Sequence, residues 1–350
     1  MVRRSARPAR TGPTIKDVAI QAGVSATTVS NVLNGRSEAM TEETLRRIQE
    51  AIQSLGYRPS RVARGLVTRH TATIGLVLTE IETPLFLQAL PHMELIGRNA
   101  GYNLLLCIAR NTDDEREAIN LLLEKQADGI IFFSSSEIRD DGHILELHRV
   151  GLPTILINRA NPHDEFSQIH WDQVEGVSAA VQYLHGLGHR RIAHLLGPAN
   201  RRSTAERLAG YRQGLAACGL DFDESLLRPG DFTAAPDQWQ AATAQLLGLP
   251  QRPTAIIASD DIVAGIVLKT VQNAGLRIAQ DVSVLGIDDQ PFCQYLNPAL
   301  TTLQLPTMAA GKLAMEILLR CLADPCTVPE KHMLPCPLVV RDSCGPAPVP

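Results

Sequence analysis

The segment AGVSATTVSNVLN, residues 22–34, decides how the first part of this 350-residue chain is interpreted. Its glycine, Gly23, predicts a tight turn between two short helices at 15–22 and 25–33. In the second helix, apolar residues recur at helical spacing and would pack on the first helix: Val29, Val32 and Leu33. The pattern predicts a helix-turn-helix whose opposite face is small and polar, with Ala26, Thr27, Ser30 and Asn31.

A third helix is predicted at residues 41–55. The sequence TEET supplies an N-cap, Thr41, and acidic residues in the first turn, and Gly56 marks the C-terminal end. The three helices form a module that is too small to enclose an enzyme site but is adequate for recognition.

Charge is distributed unevenly along the chain. Residues 1–71 hold 12 Lys/Arg and 5 Asp/Glu, a net +7, whereas the other residues hold 21 and 32 of the chain totals of 33 and 37, a net −11. Residues 18–35 carry no charged side chain, as expected for a helix that reads base edges through donors, acceptors and methyl contacts. Attraction to phosphates would come from the basic tail at 1–13 and from Arg46, Arg47, Arg58, Arg61 and Arg64. The alternative is a three-helix packing module that binds no nucleic acid.

From Thr73 onward, apolar runs alternate with amphipathic helical stretches. The runs are TIGLVL, NLLLCIA, GIIFFS, PTILIN, IAHLLG, TAIIAS and SVLGID. Near-continuous apolar strands of this kind are typical of parallel sheets that helices cover on both faces. The predicted fold is therefore an all-α helix-turn-helix headpiece followed by an α/β domain with two doubly wound parallel-sheet subdomains.

Composition restricts the class of protein. No apolar run approaches the ~18 residues of a membrane span, and no apolar segment of a signal peptide follows the basic tail. We expect a disordered tail at 1–13 and a cytoplasmic location. The seven cysteines include no C-x-x-C pair and no metal-binding spacing, so we expect free thiols, no metal and no cofactor.

Polar residues follow three of the apolar runs where each strand should end. They are Asn158, Arg159, Asp260, Asp261 and Asp288. Because the carboxyl ends of parallel strands border the ligand cleft of doubly wound domains, we expect these residues to line such a cleft. A helix-capping role for Asp261 is an alternative.

The segment SRVARGLV, residues 60–67, separates the two parts of the chain. It is long enough for only about two helical turns, and Gly65 lowers its helix propensity by roughly 1 kcal/mol. It is either an ordinary linker or a segment that folds only when a partner covers it.

A series of motifs runs in order through residues 14–344: TIKDVA from 14, AGVSATTVSNVLN from 22, TEET from 41, GYRPSRVARGL from 56 and TIGLVL from 73, then LGHRRIAHLLGP from 187, RLAGY from 207, PTAIIASDD from 253, VLGIDD from 284, LTTL from 300 and LVVRDSC from 338. Together these motifs closely resemble the LacI/GalR family of bacterial transcription regulators.

The resemblance implies a DNA-binding domain at 14–57, a hinge at 58–71, an effector-binding and dimerisation domain at 72–343 and a tail at 344–350. The effector domain would have periplasmic-binding-protein architecture, with crossovers between its subdomains near 171, 302 and 333. A homodimer would bind a pseudo-palindromic operator of double-stranded DNA. Its hinge helices would enter the minor groove, where Leu66 would open the central base step.

The resemblance also implies the site residues. DNA contacts fall on Thr14, Ser25, Ala26, Thr27, Thr28, Ser30, Asn31, Arg58, Ser60, Ala63 and Leu66. Effector contacts fall on Phe86, Asn158, Arg201, Ser203, Arg207, Phe232, Asp260 and Asp288, and Arg159 joins them as a strand-end residue. A structural ion pair between Arg207 and Asp288 is the alternative for those two.

These residue types suit a sugar or sugar derivative, because hydroxyls pair with carboxylates, guanidinium and amide groups while aromatic rings cover the apolar sugar face. We expect a repressor that the sugar releases from DNA. Arg201, Ser203 and Phe232 also match purine-sensing members, so a purine-dependent co-repressed regulator is the alternative. Pro91 should interrupt the first effector-domain helix. The final residues lack leucine heptads, which favours a dimer over a tetramer.

Three other classes of protein are alternatives to an effector-controlled DNA-binding regulator. An enzyme is disfavoured because the sequence has no G-x-S-x-G, Gly-rich phosphate loop or metal-spaced His pair. A secreted solute-binding protein would share the fold but not the basic first segment. A regulator that a phosphocarrier protein controls stays open, because the sequence carries no surface signature for one.

Overall fold

The structure is a computed structural model that describes residues 12–33, 40–57, 70–78, 84–133, 142–159, 164–231, 235–324 and 326–349. The chain divides into two compact units, Met1–Thr71 and Ala72–Pro350.

The described part of the first unit contains three helices, α1 (Ile15–Ala22), α2 (Ala26–Leu33) and α3 (Glu42–Leu55). The predicted end signals are confirmed. Gly23 and Gly56 adopt left-handed backbone with φ of 64° and 60°, and Thr41 Oγ1 accepts a hydrogen bond from Thr44 N at 3.3 Å. Each helix contributes one completely buried residue to a shared core, namely Val18, Val29 and Ile48.

The second unit begins with a six-stranded sheet. Its strands are β1 (Thr73–Leu78), β2 (Asn103–Ile108), β3 (Gly129–Phe133), β4 (Thr154–Ile157), β5 (Ser167–Asp172) and β11 (Lys331–Pro335). They lie in the order β11-β5-β4-β3-β1-β2, and every pair is parallel. Its helices are α4 (Pro84–Leu87), α5 (Leu90–Asn99), α6 (Thr112–Glu124), α7 (Gly142–Arg149) and α12 (Thr307–Ala323). We call this sheet and its helices the first subdomain.

A second six-stranded sheet forms the second subdomain. Its strands are β6 (Ile192–Leu196), β7 (Leu227–Pro229), β8 (Ala255–Ile257), β9 (Ser283–Asp288), β10 (Thr301–Gln304) and β12 (Leu338–Val339). The order is β12-β10-β9-β8-β6-β7, and only β12 runs antiparallel to its neighbour. Its helices are α8 (Gln173–Gly186), α9 (Arg202–Ala217), α10 (Pro236–Leu247) and α11 (Asp261–Asn273), with 3-10 turns at Glu224–Leu226 and Pro291–Tyr295.

The chain passes between the subdomains three times. It leaves the first sheet after Asp172, returns between Gln304 and Thr307, and crosses again between Pro335 and Leu338. Consequently β11 and β12, which are close in sequence, belong to different sheets.

Helices α8 and α9 pack closely enough to place Arg207 beside the first crossover. A Cβ at Gly210 would lie 2.3 Å from the carbonyl oxygen of Val174, so no larger residue fits without moving backbone. This contact brings the α9 side chain one turn earlier, Arg207, to the start of α8.

Pro91 breaks the first helix of the second unit, as predicted. The helical segment separates into α4 and α5, and Pro91 occupies the first turn of α5, where its missing N–H costs no hydrogen bond. The chain end is also tied to the second subdomain, because Gly345 N donates to Ser283 Oγ at 3.0 Å and Ala347 N donates to the carbonyl of Leu187 at 2.8 Å. Within the described ranges, no helix is long and apolar enough to span a bilayer.

Candidate DNA-binding surface and effector cleft

Helix α2 presents the predicted base-reading face. Thr14, Ser25 and Thr27 are exposed, while Ala26, Thr28, Ser30 and Asn31 are half-buried. Ser25 Oγ accepts a hydrogen bond from Thr28 N at 3.0 Å and therefore caps the start of α2. The predicted hinge contacts Arg58, Ser60, Ala63 and Leu66 lie outside the described residues.

The two arginines of α3 that were predicted to attract phosphates lie in different surroundings. Arg46 pairs with Glu50 on the surface at 3.0 Å, and both side chains are more than half exposed. Arg47 instead donates to the backbone carbonyls of Ala22 and Gly23, in the turn between α1 and α2. The phosphate attraction expected of both arginines stays a prediction, and the structure adds a contact of Arg47 that the sequence pattern does not show.

The structure brings three of the predicted effector residues together at the carboxyl ends of strands in the second subdomain. Arg207 Nη2 lies 4.0 Å from Asp288 Oδ1, and burial raises the pKa of Asp260 although the nearby Arg207 guanidinium opposes the shift. Arg207 is held by a 2.8 Å hydrogen bond from its Nε to Gln173 Oε1 and by donation from NH1 to the carbonyl of Ser259. Arg207, Asp260 and Asp288 are all buried.

Backbone strain marks two of the predicted positions. Asn158 has φ of 52° and Asp288 has φ of 125°, although neither is glycine. Left-handed backbone at non-glycine residues costs about 1–3 kcal/mol and concentrates at functional sites. Asn158 follows β4 and is buried, which places it at the edge of the first sheet where a cleft residue is expected.

Buried carboxyls give the cleft an unusual electrostatic character. Burial raises the pKa of Asp260, and burial together with the neighbouring carboxylate of Asp261 raises the pKa of Asp288 well above its ordinary value. The Arg207 guanidinium opposes both shifts. A neutral ligand with several hydroxyl groups would satisfy these carboxyls without adding charge.

Asp261 does not cap α11, in contrast to the alternative considered from the sequence. The cap is Asp260, whose Oδ1 accepts from Val263 N at 2.7 Å. Asp261 instead accepts from Gln290 N at 2.7 Å, Thr302 Oγ1 at 2.6 Å and Cys293 Sγ at 3.1 Å. Burial nevertheless raises the pKa of Asp261 to about 6. Its role is to hold the turn that follows β9.

The contacts of Arg159 differ from those predicted for an effector-binding residue. Its NH1 and NH2 groups donate to Glu115 Oε1 at 2.6 Å and Oε2 at 3.1 Å, and its guanidinium lies 5.7 Å from the centre of the Phe132 ring. His143 Nε2 donates to the same carboxylate at 2.8 Å. Glu115 and His143 belong to α6 and α7, and Phe132 packs in the core beneath them, so Arg159 points into the core and not into the cleft.

The remaining predicted effector residues differ in how fully the structure places them. Phe86 is buried against Phe133, with ring centres 4.8 Å apart. Arg201 is the N-cap residue of α9 and Ser203 lies in its first turn, both half-buried. Phe232 lies outside the described residues.

Several polar groups of this region were not predicted from the sequence. Gln173 fixes Arg207, and Gln88 Nε2 donates to Gln290 Oε1 at 3.3 Å, which joins the two subdomains directly. Trp171 Nε1 and Thr204 Oγ1 are buried and have no hydrogen-bond partner among the described residues. Trp171 and Gln173 flank the end of β5, whose sequence SQIHWD is too polar to stand out as a buried strand.

Comparison with known proteins agrees with this architecture. The model of the lacI family of bacterial regulatory proteins matches residues 14–60, and that of the periplasmic binding protein-like domain matches residues 181–344. The HTH-type transcriptional repressor PurR of Vibrio atlanticus (strain LGP32) is 33% identical over 312 residues, which cover 89% of this chain and 92% of the relative.

Two solved structures extend the comparison. The lac repressor dimer bound to operator and the anti-inducer ONPF matches with a TM-score of 0.84 and 26% identity, covering 95% of this chain and 99% of that one. A complex of the transcriptional regulator CelR with cellobiose matches with a TM-score of 0.70 and 30% identity, with the same two coverages. The chain therefore belongs to the LacI family of bacterial transcriptional regulators, and the predicted fold class is confirmed.

Proposed function

We propose that this ligand-responsive repressor acts in the cytoplasm as a homodimer and leaves its operator when a sugar or sugar derivative enters the cleft. The observation that carries the proposal is the convergence of Arg207, Asp260 and Asp288 in a buried, strained site at the carboxyl ends of the strands. Such a site suits binding, because fixed charged groups in a closed cleft form strong hydrogen bonds to a neutral ligand.

The balance of charge selects the ligand class within this proposal. Asp260, Asp261 and Asp288 are buried near one another, burial raises the pKa of each, and the Arg207 guanidinium opposes this shift at Asp260 and Asp288. This arrangement disfavours a phosphorylated ligand and favours hydroxyl groups, which donate to carboxylates and accept from guanidinium. The unused donor of Trp171 and the Phe86 ring add a polar contact and an apolar face. The relative CelR, whose structure contains cellobiose, supports the same ligand class.

A purine acting as co-repressor is the second candidate. It is supported by the similarity to PurR and by the aromatic layer of Phe86, Phe133 and Trp171, in which neighbouring ring centres are 4.8 Å and 6.2 Å apart. A planar base would stack on such rings. The two candidates differ in the sign of the DNA response, because a sugar inducer would weaken operator binding and a purine would strengthen it.

A thermal-shift screen of the full-length protein tests the proposal. The panel contains neutral mono- and disaccharides, cellobiose included, together with sugar phosphates, nucleosides and purine bases. A ligand at 100 times its Kd stabilises the folded state by ~2.7 kcal/mol, which corresponds to a shift of about 5 to 10 °C. We expect a neutral sugar to give the shift and its phosphate ester to give none. A shift with purines alone would support the second candidate.

Dimerisation is proposed from exposed apolar residues on packed elements of the first subdomain. Leu95 on α5 and Leu106 and Ile108 on the edge strand β2 are each at least 40% exposed. In the second subdomain, Ile262 and Tyr295 are 45% and 80% exposed. Apolar areas of this kind on a folded protein mark interaction surfaces, and a second copy of the chain is the partner that the related lac repressor dimer supports.

We expect Leu106→Arg to convert dimers into monomers, because an arginine in an apolar interface leaves its charge without solvent or partner. Sedimentation velocity at micromolar concentration measures the change. Val150→Arg is the matched control, since Val150 is exposed but follows α7 on the opposite face of the first sheet. Dimers in the Leu106→Arg protein would exclude this surface as the interface.

A further inference from the structure

The side chain of Arg47 joins α3 to the turn that separates α1 from α2. Its NH2 group donates to the backbone carbonyl oxygens of Ala22 and Gly23, at 3.2 Å in the second case. A Cβ at Gly23 would lie 2.6 Å from this nitrogen. Gly23 is therefore required both for the left-handed backbone of the turn and for the close approach of the guanidinium.

These carbonyls lie at the C-terminal end of α1, where helix geometry leaves the last acceptors without intrahelical donors. Backbone amides satisfy two earlier carbonyls, since Gly23 N donates to Ile20 O at 3.2 Å and Val24 N donates to Ala19 O at 3.0 Å. The guanidinium serves the carbonyls of Ala22 and Gly23, and its positive charge lies at the negative end of the helix dipole. Arg47 thus supplies the hydrogen-bond donor for two carbonyls of the α1–α2 turn.

Helix α2 depends on this turn for its direction. It has eight residues, of which Val29 alone is completely buried, while Ala26, Val32 and Leu33 pack only partly buried against the same core. The position of α3 against α1 is secured independently by a 2.5 Å hydrogen bond from Gln21 Nε2 to Ser54 Oγ. Arg47 therefore links α3, which is held against α1, to the turn that precedes α2.

We infer that Arg47 is a positioning residue for base recognition and acts through the turn carbonyls, not through a phosphate. The inference rests on the prediction that α2 reads bases within the proposed operator-binding function. Arg46 provides the contrast within the same helix, because its guanidinium lies on the surface beside Glu50 and its side chain is 67% exposed. The two neighbouring arginines carry the same charge, but of the two it is Arg47 that donates hydrogen bonds to the turn between α1 and α2.

The test compares full-length Arg47→Met, Arg47→Lys and Arg46→Met proteins with the wild type. The probes are a duplex that the wild type enriches from a randomised pool and an unselected random duplex, each titrated over a range of salt concentrations. We expect Arg47→Met to lower affinity for the enriched duplex by about tenfold, the low end of the loss of one base contact per half-site. Its affinity for random DNA and its salt slope should fall no further than those of Arg46→Met.

Arg47→Lys keeps the charge and the aliphatic stem, so it guards against a failure of Arg47→Met to fold. A single ammonium cannot reproduce the guanidinium geometry at the two carbonyls, and we expect specificity to fall while random-DNA affinity stays at the wild-type value. A phosphate contact would give the opposite result. Lysine would then restore full binding, and methionine would weaken both duplexes and reduce the salt slope by about one unit more than Arg46→Met does.

Asn31→Ala separates failure of the inference from failure of the underlying proposal. If Asn31→Ala lowers the ratio of enriched to random affinity but both Arg47 variants leave it unchanged, Arg47 does not position α2. If Asn31→Ala also leaves the ratio unchanged, α2 is not the reader, and the proposed role of the helix falls together with the inference.

Discussion

Replacement of Asp288 by alanine is expected to abolish the effector response and to leave operator affinity nearly unchanged. Asp288 and Arg207 approach within 4.0 Å in a closed site, and a bound ligand would be hydrogen-bonded by both. Truncating one partner of a buried charge pair costs ~2–5 kcal/mol, because the other charge is left without a partner. Effector affinity should therefore fall by roughly 30- to 4,000-fold.

The measurement is operator affinity with and without the ligand that the thermal-shift screen identifies. Because coupling between two ligands is reciprocal, a protein that cannot bind effector stays on its operator and behaves as a non-inducible repressor. Asp237→Ala is the matched control, since Asp237 is an exposed carboxylate in the same subdomain. An unchanged ligand response in Asp288→Ala would remove this residue from the site. Tighter operator binding by the liganded wild type would establish co-repression.

Arg159→Met is expected to cause a large loss of stability in the first subdomain. Arg159 and Glu115 are almost completely buried, and the guanidinium makes two hydrogen bonds to the carboxylate at 2.6 Å and 3.1 Å. Removal of Arg159 leaves the buried Glu115 carboxylate with His143 as its remaining partner among the described residues, at a cost of about 3–5 kcal/mol. Effector affinity of the folded protein should change little, because Arg159 does not face the cleft.

The pH dependence of this loss follows from the pKa of Glu115. Burial raises that pKa, but hydrogen bonds from His143 and Arg159 lower it by more, so the folded-state value lies below the ordinary value of 4.5. The ionised pair therefore stabilises the fold above pH 4.5, and this contribution is lost as the pH falls through the folded-state pKa. The variant loses its counterion, so its deficit should be greatest near pH 7 and smaller near pH 4.

Urea unfolding of both proteins at these two pH values measures the effect. Arg116→Met is the control on the same helix as Glu115, because Arg116 pairs with Asp113 on the surface and should contribute less than about 1 kcal/mol. If Arg159→Met weakened effector binding and preserved stability, the original sequence-based assignment of Arg159 would be restored.

The headpiece was predictable almost to the residue because its signals are local. Thr41, Gly23 and Gly56 each act on backbone within a few residues, and a single sequence displays them directly. Asn158, Asp260 and Asp288 were predictable for a related reason, since each follows an apolar run and parallel strands bring their carboxyl ends to one edge.

Arg159 and Arg47 show what a sequence pattern leaves undetermined. Arg159 follows Asn158 directly, yet the partner that holds its side chain in the core is Glu115, 44 residues away. Arg47 has the spacing of a surface arginine, and its acceptors are backbone carbonyls that any residue would supply. Strand β5 was missed because its residues are polar, and with it Gln173, the amide that holds Arg207.

Because the chain crosses between the subdomains three times, both subdomains depend on its C-terminal residues. Strands β11 and β12 lie within the last twenty residues, and each completes the edge of a different sheet. A premature stop codon shortly after α12 would therefore remove one strand from each subdomain. For the same reason, neither complete subdomain corresponds to one continuous fragment of the chain. A gene fusion at this terminus would have to preserve both strands.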